Sequence, residues 1–141
     1  MQNLVISTVA KYIVFLGETK PGCHHDYTLL KAAFPPQHPW FELITILVDL
    51  GFQGIKTDYV GNDIQLPYKK PRKSKANPTP KLSDEQKAVN RTISKVRILV
   101  ENAIAGLKRY NILNHPFRNR SVGFDDLAVS VSAGLWNFML S

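Results

Sequence analysis

The hydrophobic pattern opens with two short apolar runs, residues 5–9 and 12–16, rich in β-branched and aromatic side chains and separated only by Ala10 and Lys11. Their length and spacing predict two strands joined as a hairpin. A Pro-Gly pair follows in KPGCHHD, and Asp26 then precedes a short helical pattern over 27–34, for which it is the expected N-cap. PPQHP ends that helix, because proline brings no N–H and its ring blocks the turn before it. Residues 43–48, LITILV, form a continuous apolar run of strand length. This predicts a strand buried on both faces of a sheet, with Asp49 at its carboxyl end.

The second half changes period. Residues 66–82, LPYKKPRKSKANPTPKL, interleave prolines with Lys69, Lys70, Arg72, Lys73, Lys75 and Lys81, a composition that builds no core and predicts a solvated, mobile loop. Ser83 and Gln86 then form a capping box, Asp84 and Glu85 suit the positive end of a helix dipole, and Val89, Ile93, Val96, Val100, Ala103 and Leu107 recur at helical spacing. One long helix over 84–109 follows. A last helix is expected over 125–140, with Leu127, Val131, Leu135, Trp136 and Phe138 on its buried side. No internal repeat is present.

Composition narrows the classes. A chain of 141 residues with 44% apolar and 10% aromatic side chains fits one packed domain and excludes a disordered or fibrous protein. The net charge of +7 favours a polyanionic partner, nucleic acid first among them. The single cysteine, Cys23, excludes an internal disulfide, suits a reducing compartment and leaves a zinc site without a second thiol. The apolar N-terminal stretch is broken by Ser7, Thr8 and Lys11 and lacks a basic leader, so it predicts strands and neither a signal nor a membrane span.

Two carboxylates stand out by position. Asp49 ends an apolar run, and Glu101 lies beside the apolar stripe of the long helix, at the edge of the face that packs on the sheet. Paired carboxylates at a sheet edge suit a hard divalent cation, which takes oxygen ligands and keeps waters for a substrate phosphate. The plainer alternatives stand beside this one. Asp49 before Leu-Gly is also a turn-former that bonds its own backbone, and Glu101 is one helical turn from Arg97 and could pair with it. Cys23, His24, His25 and Asp26 hold metal-ligand chemistry, yet neighbouring side chains on an extended segment point apart, which favours a polar turn. The basic loop is either a solvated linker or an extended arm that lies along a phosphate backbone.

The ordered motifs carry a resemblance. VDLGFQG at 48–54, the basic loop and then VENAIAGLKRYNIL at 100–113 resemble the C-terminal half of a DDE-type transposase of the insertion-sequence and Harbinger-like superfamily. KPGCHHDYTLL resembles that family's Pro-Gly-x-x-His-Asp segment, and LAVSVSAGLWNFML its closing helix. The resemblance implies an α/β chain with an RNase H-like fold, a mixed five-stranded sheet with flanking helices, in which three carboxylates hold two metal ions, Mg²⁺ or Mn²⁺, for DNA strand cleavage and transfer. By that match Asp49 is the second catalytic carboxylate and Glu101 the third, both metal ligands, and Asp26 joins the candidate metal site. Lys108 and Arg109 match basic positions near DNA, and Lys69, Lys70, Arg72, Lys73 and Lys75 are expected to engage its phosphates.

The departures from the family are equally specific. The first catalytic aspartate of the family lies on the first strand, in an Asp-Gly/Ala-Thr context, but no acidic residue precedes Glu18 here. The expectation is one truncated RNase H-like domain over 1–141, with the loop 66–82 inside it, lacking its first strand and that carboxylate. The helix-turn-helix domain common among relatives is likewise expected to be missing, and Asn102 stands after Glu101 where relatives often carry a basic residue. Function is then expected to be the C-terminal part of a DDE transposase or endonuclease, inactive alone; the alternative is a non-catalytic, truncated transposase that binds DNA and acts as an inhibitor or remnant. A small basic structural protein is the third reading. Expected partners are transposon-end DNA, the N-terminal half of a split transposase or a second copy, without a membrane. The location is cytoplasmic, at the nucleoid, in a bacterium, or nuclear in a eukaryote.

Overall fold

The computed structural model describes residues 2–141; residue 1 of the expected domain lies outside them. Two compact units are present, one made of residues 1–24 and 98–141, the other of residues 25–97. Each is mixed α/β in character.

The first unit begins with an antiparallel pair, β1 (Val5–Ser7) and β2 (Ile13–Leu16), in register Val5 to Leu16 and Ile6 to Phe15, with a bulge before Ser7 pairs with Ile13. The expected hairpin is present, though both strands are shorter than their apolar runs. Lys11 at φ 70° turns the chain between them. The carboxyl end of α3 (Asp84–Lys108), a single turn at Asn111–Leu113 and α4 (Phe124–Leu140) complete the unit. Its core is Ile13, Ala103, Leu107, Ala133 and Trp136.

Small residues decide how those helices meet. A Cβ built on Gly106 would lie 2.3 Å from Cζ3 of Trp136, so the indole occupies the space a side chain would need. The buried face of α4 is accordingly Ala128, Val129, Ser132, Ala133 and Trp136. This corrects the sequence expectation. Of the five residues assigned to the buried side only Trp136 is buried, at 8% exposure, whereas Leu127, Val131, Leu135 and Phe138 are all exposed. α4 is apolar around most of its circumference, so bulk alone did not mark the face that packs.

In the second unit, α1 (Asp26–Ala33) leads to β3 (Thr45–Leu47), a single turn at Leu50–Phe52, the short α2 (Ile55–Asp58) and β4 (Asp63–Gln65). β3 and β4 pair in parallel, with Ile46 opposite Ile64. The connection between them is what a parallel pair requires. Behind them stand Leu30, Phe41, Ile55, Tyr59 and Ile64, all buried. The rings of Phe34 and Phe41 lie 5.3 Å apart and those of Phe41 and Tyr59 5.5 Å.

The apolar run 43–48 is not the deep strand its pattern predicts. Leu43 is 96% exposed, Ile44 is also exposed, and only 45–47 is strand. Phe41 provides the buried anchor instead. β4 was not expected, because three residues with one buried isoleucine give too short an alternation to distinguish from a turn. The described strands form two separate two-stranded sheets. The capping box is as predicted: Ser83 Oγ accepts from the Gln86 N–H and Gln86 Oε1 from the Ser83 N–H, each at 3.1 Å.

No described helix is long and apolar enough to cross a membrane.

Candidate functional site

Asp49 lies two residues beyond β3, where Val48 still donates to the Gln65 carbonyl. Its backbone is extended, and its Oδ1 accepts the Leu50 N–H at 2.6 Å, capping the turn Leu50–Phe52. The turn-former reading is thus present in the structure. A second donor reaches the same oxygen, Arg97 Nη1 on α3, at 3.1 Å. Arg97, one helical turn from Glu101 in the sequence, thus also reaches a carboxylate 48 residues away. Guanidinium and N–H together satisfy the charge at the end of the apolar run. Gly54, at φ 90°, then lets the chain reverse into α2.

Asp26 occupies the first turn of α1, and the N-cap position belongs to His25, which makes no side-chain cap bond. The cap expected of Asp26 is therefore not formed. α1 is anchored by the next residue: the Tyr27 ring meets Phe52 edge-on at 6.3 Å, and its hydroxyl donates to Asp58. Lys31 Nζ lies 3.6 Å from the same carboxylate and 4.7 Å from the Tyr27 ring centre. Burial, then the neighbouring Asp58, pushes the Tyr27 hydroxyl well above its ordinary range, and the hydroxyl in turn lowers Asp58. These contacts bring the His-Asp segment alongside the turn that starts at Asp49.

Glu101 is exposed on α3, between half-buried Val100 and exposed Asn102. It belongs to the unit of residues 1–24 and 98–141, whereas Asp26 and Asp49 belong to residues 25–97. Among the described residues no group of three or more His, Cys, Asp or Glu side chains is gathered to hold a metal. The donors that are present are carboxylate oxygens on exposed residues, the type that Mg²⁺ and Mn²⁺ take. Cys23 is a free, exposed thiol.

The basic segment has no regular structure, and Lys69, Lys70, Arg72, Lys73 and Lys75 are all exposed. It is nonetheless tied at its start. The Asn90 amide of α3 accepts the Tyr68 N–H at 2.8 Å and donates to the Tyr68 carbonyl at 3.0 Å. Ser74 and Asn77 exchange backbone hydrogen bonds at 3.1 Å, closing a small turn within the run. Lys108 and Arg109 are exposed at the end of α3, where Asn114 Nδ2 donates to the Lys108 carbonyl at 2.6 Å. Asn90 and Asn114 carried no signal in the sequence, because each acts through a backbone group brought near only by folding.

Comparison with known proteins is consistent with the order of these motifs. The family profile described as DDE superfamily endonuclease matches residues 1–137. A probable transposase for insertion sequence element IS702 from Microchaete diplosiphon is 35% identical over 139 residues, covering 99% of this chain and 46% of its own length. The chain thus spans less than half the length of that relative. No solved structure matches it. With the family match extending from the hairpin through α4, the chain belongs to the DDE superfamily endonucleases.

Proposed function

We propose that this chain is the C-terminal part of an RNase H-like transposase catalytic domain that acts on DNA, with Asp49 and Glu101 as metal ligands and Asp26 as an accessory carboxylate. The observation that carries the reading is the family match over residues 1–137, which includes all three acidic positions. Hard oxygen donors suit Mg²⁺ or Mn²⁺. When bound, such ions would activate water or a DNA hydroxyl for in-line attack on a phosphodiester. Asp49 and Glu101 would orient the metal, and Arg97 would hold the Asp49 carboxylate in place. Lys69, Lys70, Arg72, Lys73, Lys75, Lys108 and Arg109 would neutralise DNA phosphates. Among these residues no acidic side chain precedes Glu18, so the reading assigns two of the family's three carboxylates here and leaves the first outside them.

The test is Mn²⁺ affinity by electron paramagnetic resonance, in the chain reconstituted with the N-terminal half of a relative. Asp49→Asn and Glu101→Gln should each weaken binding about tenfold or more. Unchanged affinity in both variants would remove the ligand assignment.

A second reading, a transposase relative that binds DNA without cleaving it, is supported by the exposed basic run Lys69, Lys70, Arg72, Lys73 and Lys75. It predicts DNA affinity that falls steeply with salt and is indifferent to metal and to Asp49→Asn.

A further inference from the structure

Asn90 holds the start of the basic segment as a neighbouring strand would. Its side-chain amide accepts the Tyr68 N–H at 2.8 Å and donates to the Tyr68 carbonyl at 3.0 Å, so one side chain of α3 takes both backbone groups of one residue. Asn90 is half-buried and Tyr68 exposed. The far end of the segment is fixed on the same helix, because Ser83 caps α3 through Gln86 and its carbonyl accepts the Lys87 N–H at 2.9 Å. From Ser83 to Asn90 is close to two helical turns. The two anchors therefore share one face of α3, about 10 Å apart at the rise of a helix.

Between those anchors the chain forms a closed arm. Residues 69–79 are all exposed, and Ser74 and Asn77 bond each other within the arm, through the backbone and through Ser74 Oγ. Pro71, Pro78 and Pro80 fix their own φ and hold the residues before them extended. Lys69, Lys70, Arg72, Lys73, Lys75 and Lys81 lie on this arm, and no acidic side chain occurs among residues 66–82. Like charges already extend a plain linker by repulsion. A linker needs no clamp on the residue just before its charges.

We infer that Asn90 is the positioning residue of this arm: by fixing Tyr68 on α3 it sets where the charges from Lys69 to Lys75 leave the helix, and presents them already ordered to the phosphate backbone of duplex DNA. Ordering a free segment costs conformational entropy at the moment of binding. Here part of that cost is met on folding. The inference rests on the DNA reading above and adds to it a residue that carries no charge.

The test is fluorescence anisotropy of the full chain on a short labelled DNA duplex across a salt series, well below the unfolding temperature. Alanine is the better helix former, so Asn90→Ala leaves α3 intact and removes only the clamp. The variant should bind about tenfold more weakly at every salt concentration, because the arm must then be ordered on binding. Its dependence on salt should be unchanged, because no charge is lost. Lys70→Ala, which does remove a charge, should instead reduce the salt slope by about one. Faster exchange of the Tyr68 amide in Asn90→Ala reports that the clamp is open. If Asn90→Ala lowers the thermal midpoint, Tyr68→Pro, which takes the N–H away from the arm's side, decides by the same affinity readout. Equal affinity in wild type and Asn90→Ala, with Tyr68 exchange accelerated, overturns the inference and leaves the DNA reading standing. A wild-type chain that does not bind the duplex even at low salt removes both.

Discussion

Arg97 Nη1 on α3 lies 3.1 Å from Oδ1 of Asp49, the oxygen that also caps the turn after β3. The pair is about half exposed on each side, so its Coulomb gain is screened and its share of stability is small. Its role is to hold the carboxylate in one orientation. Arg97→Gln should change the free energy of unfolding by less than about 1 kcal/mol in a urea titration. In the proposed metal site the same substitution frees the carboxylate from that orientation, and Mn²⁺ affinity should fall, by less than on Asp49→Asn.

Gly106 is required by contact. Because a Cβ there would sit 2.3 Å from the Trp136 ring, Gly106→Ala forces the indole or α4 to shift. Overpacking of this kind costs about 1–3 kcal/mol, against any gain from helix propensity. The expected result is a lower urea midpoint together with a changed near-ultraviolet signal from Trp136.

Asn137 satisfies both backbone groups of buried Ile13. Asn137→Ala would leave a donor and an acceptor unpaired in the core of the first unit, a loss of about 1–3 kcal/mol. Exchange of the Ile13 amide should accelerate more than that of Gly17, whose partner lies within the hairpin.

Asp126 introduces a pH dependence. The Thr19 side chain, then the Thr19 N–H donated to Oδ1 at 2.7 Å, and the charge of Lys20 hold the carboxyl below its ordinary range. A depressed folded-state pKa contributes stability above the unfolded value, and the contribution is lost as pH falls through the folded value. The unit should weaken below about pH 4, the ordinary carboxylate value. Asp126→Asn should flatten that part of the stability profile measured by thermal unfolding.

Local rules carried the sequence furthest where the partners are near in the chain. The Ser83–Gln86 capping box and the extent of α3 were legible because both are settled within a few helical turns. The hairpin was legible from two apolar runs and a short break. The misreadings share one cause. Residues 43–48 look like a buried strand because Leu43 and Ile44 are apolar, yet burial there is taken by Phe41 and the aromatic rings around it. On α4 the large side chains point outward because the small ones face α3.

By itself the amino-acid order determined the helices, the hairpin, the uncharged first strand, the basic segment and membership of the DDE superfamily, since periodicity, capping chemistry and motif order are properties of neighbours along the chain. Tertiary structure alone decided that Arg97 reaches Asp49, that Asn137 bonds both backbone groups of Ile13, and that Trp136 fills the space above Gly106. Those are contacts between distant residues, chosen by which surfaces can approach closely enough to exclude water and satisfy their backbone groups, and no local pattern encodes them.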